Sequence, residues 1–251
     1  MRILLTLLAI LAVLYLAACA MVFFQQRSMI YYPQPAGGTS AERLTLAADG
    51  AQVVVSLRRH DGPKALVYFG GNAEDVSANL PSLPAAFPDH AIYLMHYRGY
   101  GGSTGAPSEK ALHQDALLLF DTVHAQHAQV TVMGRSLGSG LAVRLASERP
   151  VERVILVTPF ESLSGLGAAL FPHLPVRWLL VDKYESGRYA PRVTAPTLIV
   201  AAEHDEVIPR WSTEQLLARF SNGVATLKVV AGASHNTISE DPAYWRALRG
   251  D

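Results

Sequence analysis

Apolar positions along this chain come in blocks, and their lengths predict distinct elements. Ile3 to Phe24 is a run of 22 residues without a charge, preceded by Arg2 and followed by Gln25-Gln26-Arg27. Such a run is long enough to span a hydrocarbon core of about 30 Å. Residues 33–43 are rich in Pro, Gly and Ser and read as a linker or a loop leading into a domain. Residues 44–47 and 52–57 flank Asp49-Gly50 and predict a hairpin. Beyond it, short β-branched runs at 65–69, 91–96, 130–133, 154–157, 197–201 and 225–230 read as strands. Helical stretches fall between them, near 74–83, 109–125, 137–147 and 212–220, with a last helix at the C-terminus. That alternation predicts an α/β fold with a mainly parallel, doubly wound sheet, helices on both faces, and the hairpin as its antiparallel edge. The expected organisation is a leader over 1–27 and one domain over 28–251, with a short cap at about 160–195.

Composition narrows the function classes. Half of the 251 residues are hydrophobic and 17% are charged, which excludes a disordered chain and supplies a core that needs no staples. The formal net charge is zero, so nothing favours nucleic acid or an acidic partner. The single cysteine, Cys19, excludes internal disulfides and a Cys-based structural metal site.

The chemistry concentrates at Gly134-Arg135-Ser136-Leu137-Gly138, which follows one strand and opens a helix. A serine with glycine at −2 and +2 in that setting is what a nucleophile elbow requires, because side chains at those positions would collide in so tight a turn. The competing reading is a Gly-rich turn whose serine caps the helix. A triad of this type runs in the chain order Ser, Asp or Glu, His. Glu203-His204-Asp205-Glu206 follows the strand at 197–201, and Ser234-His235-Asn236 follows the strand-like run at 225–230. His235 is the expected base and Asp205 its orienting acid, with Glu203, Glu206 and Glu161 as competitors for the acid. The amides of Leu137 and of Asn72, in the loop Gly70-Gly71-Asn72-Ala73 after the strand at 65–69, are expected to form the oxyanion hole. His124 and His127, three apart on one predicted helix face, resemble a metal pair but have no third ligand nearby; no metal or organic cofactor is expected. The glycines of Arg98-Gly99-Tyr100-Gly101-Gly102-Ser103 fail the nucleotide-binding register and lack a Walker lysine, so they read as a wide turn.

As a set, these motifs resemble the membrane-anchored α/β-hydrolases of the prolyl-oligopeptidase-like superfamily, the group with a His-Gly-Asn-Ala oxyanion loop. The matching residues are Met29-Ile30-Tyr31-Tyr32-Pro33, Gly71-Asn72-Ala73, Tyr97 through Ser103, the elbow, Thr158 through Leu163, the Asp205 loop and Ser234-His235-Asn236. The similarity runs from about residue 22 to the C-terminus, with one departure: Gly70 stands where the family usually has histidine. The resemblance implies an α/β-hydrolase fold and a Ser-Asp-His esterase, lipase or thioesterase.

The leader leaves three readings open. It is a transmembrane signal anchor, or a lipoprotein signal in which Leu16-Ala17-Ala18-Cys19 marks Cys19 for lipidation, or a cleaved signal peptide. Length favours the anchor, with the N-terminus cytoplasmic and the catalytic domain on the periplasmic or extracytoplasmic side. Specificity is expected between Pro159 and Pro196, where an apolar cap segment includes Phe171 and Trp178 as candidate substrate contacts. These readings converge on a monomeric, membrane-associated serine hydrolase of lipid-type or other acyl esters or thioesters, working through an acyl-Ser136 intermediate. The alternatives are an aminopeptidase- or oligopeptidase-like serine peptidase and a membrane-tethered, non-catalytic binding protein.

Overall fold

The computed structural model describes residues 1–37 and 41–250; residues 38–40, within the predicted linker, and Asp251 lie outside the described residues. An apolar helix, α1 (Arg2–Ile30), is followed by the hairpin β1 (Glu42–Ala48) and β2 (Ala51–Arg58). Then come β3 (Lys64–Phe69), α2 (Leu83–Ala86), β4 (His90–Met95), α3 (Glu109–His124), β5 (Gln129–Arg135), α4 (Leu137–Ala146) and β6 (Arg153–Val157). The short helices α5 (Leu163–Leu170), α6 (Val176–Leu179) and α7 (Ser186–Tyr189) form the cap region. β7 (Thr197–His204), α8 (Arg210–Leu217), β8 (Ala225–Ser234) and α9 (Pro242–Arg249) complete the chain.

The eight strands form one sheet in the order β1-β2-β4-β3-β5-β6-β7-β8. The pairings of β2 with β1 and β4 are antiparallel, and all others are parallel. Apolar side chains alternate through the sheet into two cores. Leu66, Tyr68, Ile92 and Leu94 face one side with Leu83, Phe87 and Leu248, while Val67, Phe69, Tyr93 and Met95 face the other with Leu112, Leu119 and Leu141. Burial on both faces explains why the central strands read as unbroken apolar runs. Register also aligns the carboxyl ends that carry the site: Phe69 pairs with Gly134, Arg135 with Val157, and Val157 with Val200.

Two sequence expectations are corrected here. The helix expected near 74–83 is instead one 3₁₀ turn, Val76–Asn79, capped by the Asp75 carboxylate on the Ser77 amide, with α2 starting separately at Leu83. Pro81 has no N–H to continue the ladder, and its ring would clash with the carbonyl of Ser77. His127 does not share a helix face with His124: α3 ends at His124, and the His127 ring sits between the Tyr93 hydroxyl (3.1 Å) and the Gly62 carbonyl (2.9 Å). Its neighbours satisfy it without a metal.

Candidate active site

β5 delivers Ser136 in a strained turn, at φ 49° and ψ −117°, a region that side-chain-bearing residues rarely occupy. The flanking glycines have separate reasons. A Cβ on Gly134 would lie 2.3 Å from the Gly138 carbonyl oxygen, and one on Gly138 would lie 2.2 Å from the carbonyl oxygen of Phe69 at the end of β3. The first therefore closes the turn on itself, while the second lets α4 approach the neighbouring strand. The Ser136 amide donates to the Val157 carbonyl at 2.9 Å, which ties the turn to β6.

His235, the first residue after β8, places Nε2 3.1 Å from Ser136 Oγ. Its Nδ1 lies 2.9 and 3.0 Å from the two carboxylate oxygens of Asp205, the first residue after β7. A carboxylate can only accept there, so Nδ1 carries the proton and Nε2 is free to accept from the serine. Asp205 Oδ1 also accepts the amides of Val207 (3.0 Å) and Ile208 (2.7 Å), which fix the carboxylate within its own loop. Both side chains are buried, so little water competes for these bonds. The competing acids lie elsewhere. Glu206 accepts the His235 backbone amide (3.1 Å) and Glu203 accepts the Gly232 amide (2.8 Å), so both brace the histidine loop. Glu161 accepts from the Ser162 hydroxyl at 2.6 Å and packs beside Gly187.

The loop after β3 is held by side chains that its own sequence does not advertise. Tyr97 Oη donates to the Gly70 carbonyl and Tyr100 Oη to the Asn72 carbonyl, each at 2.6 Å. Burial pushes the Tyr97 phenol well above its ordinary range and that of Tyr100 up to about 12, so both remain protonated donors across the working pH range. The Asn72 side chain donates to the Ile30 carbonyl (3.0 Å), while the Gly138 amide donates to the Gly70 carbonyl (3.1 Å). The amides of Leu137 and Asn72 donate no hydrogen bond among the described residues, and the peptides next to them are the pinned ones, at Gly138 and at Gly70.

Glu74 is the residue that sequence reasoning missed. Its half-buried carboxylate accepts the Gly71 amide (2.7 Å), the Tyr68 hydroxyl (2.7 Å) and the Asn79 amide nitrogen (2.5 Å), and it faces Arg135 Nη1 at 3.5 Å. Burial works against the Arg135 cation, but Glu74 and the Tyr68 and Tyr244 phenols together outweigh it and leave the guanidinium's pKa raised. Arg135 Nη2 reaches the carbonyls of His235 (3.3 Å) and Asn236 (3.5 Å), so one ion pair links the β3 loop, the elbow and the histidine loop. The departure at Gly70 has a steric account as well. A Cβ there would lie 2.5 Å from Val76 Cγ1 and 3.2 Å from the Glu74 carboxyl, so the side chains of Val76 and Glu74 occupy the place of a larger residue.

Two cavities meet at Ser136. An apolar one of about 260 Å³ is lined by Leu137, Phe160, Leu163, Leu166 and Phe171, among others. A polar cleft of about 460 Å³ is lined by Tyr32, Glu74, Arg135, His235 and Asn236. Of the two cap residues read as substrate contacts, Phe171 lines the apolar cavity and Trp178 does not. It is 89% exposed and lies outside both linings, because the single turn of α6 directs Val176 into the apolar cavity and Trp178 outward.

No family model matches the chain. It is 34% identical to the Mycobacterium tuberculosis protein Rv2307c, over 91% of this chain and 88% of that one. It is 30% identical to the lysophosphatidylserine lipase ABHD12 of Rattus norvegicus over 73% of this chain, but spans only 54% of that relative's length. Among solved structures it superposes on the Pyrococcus furiosus esterase Pf2001 with a TM-score of 0.72 at 16% identity, covering 88% of this chain and 95% of the other. That likeness shows the α/β-hydrolase fold, with its mainly parallel open sheet and surrounding helices.

Proposed function

The chain belongs to the α/β-hydrolase family, and from that premise we propose that it is a serine hydrolase of carboxylic esters or thioesters, favouring lipid substrates with an acyl chain and a polar head. One observation carries the reading: the hydrogen-bonded series Ser136–His235–Asp205 sits where the apolar cavity meets the polar cleft.

Ser136 Oγ attacks the substrate carbonyl carbon while His235 Nε2 takes its proton, and Asp205 stabilises the resulting imidazolium. The carbonyl oxygen, now negative, turns toward the amides of Leu137 and Asn72. Collapse of the tetrahedral species breaks the carbon–oxygen or carbon–sulfur bond, and His235 returns the proton to the departing alcohol or thiol. A water then attacks the acyl-Ser136, giving its proton to His235, and the second collapse frees the acid and restores the hydroxyl. The acyl chain takes the apolar cavity, whose volume of about 260 Å³ lies just below the range of ligand pockets, roughly 300 to 1,000 Å³. The head group takes the cleft beside Arg135 and Asn236. A single-chain lipid suits that division, and the lipase similarity supports it.

α1 is long and apolar enough to cross a bilayer, and we place it there as an uncleaved anchor. Its unbroken course through Cys19 to Ile30, with Cys19 buried, favours that reading over lipidation at Cys19.

The test is fluorophosphonate labelling of the full chain beside Ser136→Ala, with p-nitrophenyl esters from acetate to palmitate. Labelling and turnover lost in the variant are expected. Equal labelling of both proteins would move the nucleophile elsewhere, and no labelling of either would favour a tethered, non-catalytic hydrolase fold.

A further inference from the structure

The apolar cavity is not closed by the hydrolase domain alone. Val22, Gln26, Met29 and Ile30 of α1 line it opposite Leu163, Leu166 and Leu170. Their spacing of four, three and one places them on one helix face. The same face continues upward through Cys19, which is buried, to Tyr15, whose hydroxyl donates to the His173 carbonyl at 3.0 Å. The cap is strapped to this face by polar bonds. The Gln26 side chain donates to the Leu179 carbonyl (3.2 Å) and accepts the Val181 amide (2.6 Å), so the polar side chain that α1 adds to the lining is satisfied by cap backbone. Just beyond, Asp182 takes the Arg27 guanidinium (3.0 Å) and the Tyr31 hydroxyl (3.1 Å).

These contacts set a depth. Tyr15 stands nine residues before Phe24, the last residue of the uncharged run, and at about 1.5 Å per residue that is roughly 14 Å along the helix. A hydrocarbon core is roughly 30 Å thick. The cap segment at His173 therefore lies well within the apolar reach of α1. Beside the exposed His173 and Arg177 it presents two large apolar side chains there: Leu170 is 73% exposed and Trp178 89%. Apolar surface left open on that scale, continuous with an anchor, marks a lipid contact rather than a face toward water.

We infer that the C-terminal turns of α1 are a wall of the acyl site, and that the acyl chain of a membrane-resident ester enters from the bilayer between α1 and the cap without crossing water. The anchor is thus a specificity-determining part of the site as well as a tether. This rests on the reading of α1 as membrane-inserted and of Ser136 as the nucleophile. It predicts that chain length is selected by residues on α1.

The test uses the full chain in phosphatidylcholine nanodiscs. Val22→Trp fills the cavity, and Met29→Trp is a second variant at a half-exposed position that tolerates bulk. Val13→Trp is the control, nine residues earlier and so on the opposite face, where Val13 is 65% exposed. Either cavity variant should lower kcat/KM for p-nitrophenyl palmitate at least tenfold while changing that for the acetate less than twofold; Val13→Trp should change neither. Palmitate and acetate rates falling together, or no change, would overturn the inference. A second readout does not need the nucleophile: saturable cis-parinaric acid binding to Ser136→Ala should weaken at least tenfold with Val22→Trp and stay unchanged with Val13→Trp. Equal affinities overturn the α1 wall whether or not esters turn over. The binding pattern without turnover by the wild-type chain supports the wall and overturns only the hydrolase reading.

Discussion

The carboxyl edge of the sheet and the cap solve the problem of holding side chains in opposite ways. At the sheet, Ser136, Asp205 and His235 each follow directly on the end of a strand, and their restraints come from the strained elbow, from the two amides Asp205 accepts two and three residues on, and from loops at neighbouring strand ends. In the cap, the restraints join residues far apart in the chain. Gln26 to Leu179 spans 153 residues and Arg27 to Asp182 spans 155. Strands packed on both faces hold their ends rigidly, so short loops suffice there. Single-turn helices such as α6 and α7 have too few internal bonds to hold themselves; α6 takes its position from α1, and α7 packs on α4. The bond-making machinery and the acyl wall are therefore separable, and substitutions should divide along that line.

The sharpest test of the sheet side is Asp205→Asn. The asparagine keeps the size and can still take the loop amides, but it stabilises no imidazolium and favours the wrong tautomer of His235. A loss of roughly 10⁴-fold in kcat is expected, as for the equivalent change in serine proteases. Thermal stability should change little, and the preference among ester chain lengths should be unchanged. A shift in that preference would break the division, since it would mean that the triad loop also shapes the acyl site.

Glu74→Gln acts one step back. The amide keeps the shape and can still accept the Gly71 N–H, but it loses the charge that holds Arg135 between the elbow and the histidine loop. Removing a whole oxyanion donor costs about 10²–10³-fold. Loosening the loop that carries one should cost less, on the order of tenfold in kcat with KM for short esters nearly unchanged. Equal loss in kcat and in palmitate binding would show that Glu74 supports the cap as well.

The same contrast explains what was legible from sequence. Strands, the antiparallel hairpin and the elbow are written in contiguous residues, where apolar run length and paired glycines carry the signal. Even there, Asp205, Glu203 and Glu206 share one loop, and only the fold shows which carboxylate meets the His235 ring and which ones meet backbone amides. Glu74 was invisible because sheet register, not proximity in sequence, brings Tyr68 and Arg135 to it. The stretch at 74–83 reads as a helix from its place in the strand–helix alternation, which does not register the cost of Pro81. Trp178 resembles a substrate contact in sequence because apolarity does not reveal the side of a one-turn helix on which a residue lies. The α1 wall has no local signature: its lining residues look like other apolar positions of a long apolar helix, apart from Gln26.

The smallest expected effect separates the sheet from the cap by pH. Burial is the main cause that lowers the pKa of His90, at the amino end of β4, to about 4, and it also lowers those of His96 and His113. An unfolded histidine titrates near 6.5. Between about pH 6.5 and pH 4 the unfolded chain therefore binds protons that the folded chain refuses, so folding stability falls as pH falls through that window. Glu109 runs the other way. It accepts the Lys183 and Tyr184 amides at the base of the cap, yet burial leaves its carboxyl raised, so acidification relieves a buried charge there. For half-buried His90, discounting for solvent, the contribution is about 1 kcal/mol, or roughly 2–4 °C in Tm for a chain of this size. Melting of the Ser136→Ala chain from pH 7.5 to 4.5 should show a fall that His90→Gln partly flattens, whereas Glu109→Gln should raise Tm at pH 7.5 more than at pH 4.5. If instead His90→Gln leaves the slope unchanged and Glu109→Gln removes it, acid sensitivity resides at the cap base, and the sheet is not the part of the molecule that low pH loosens.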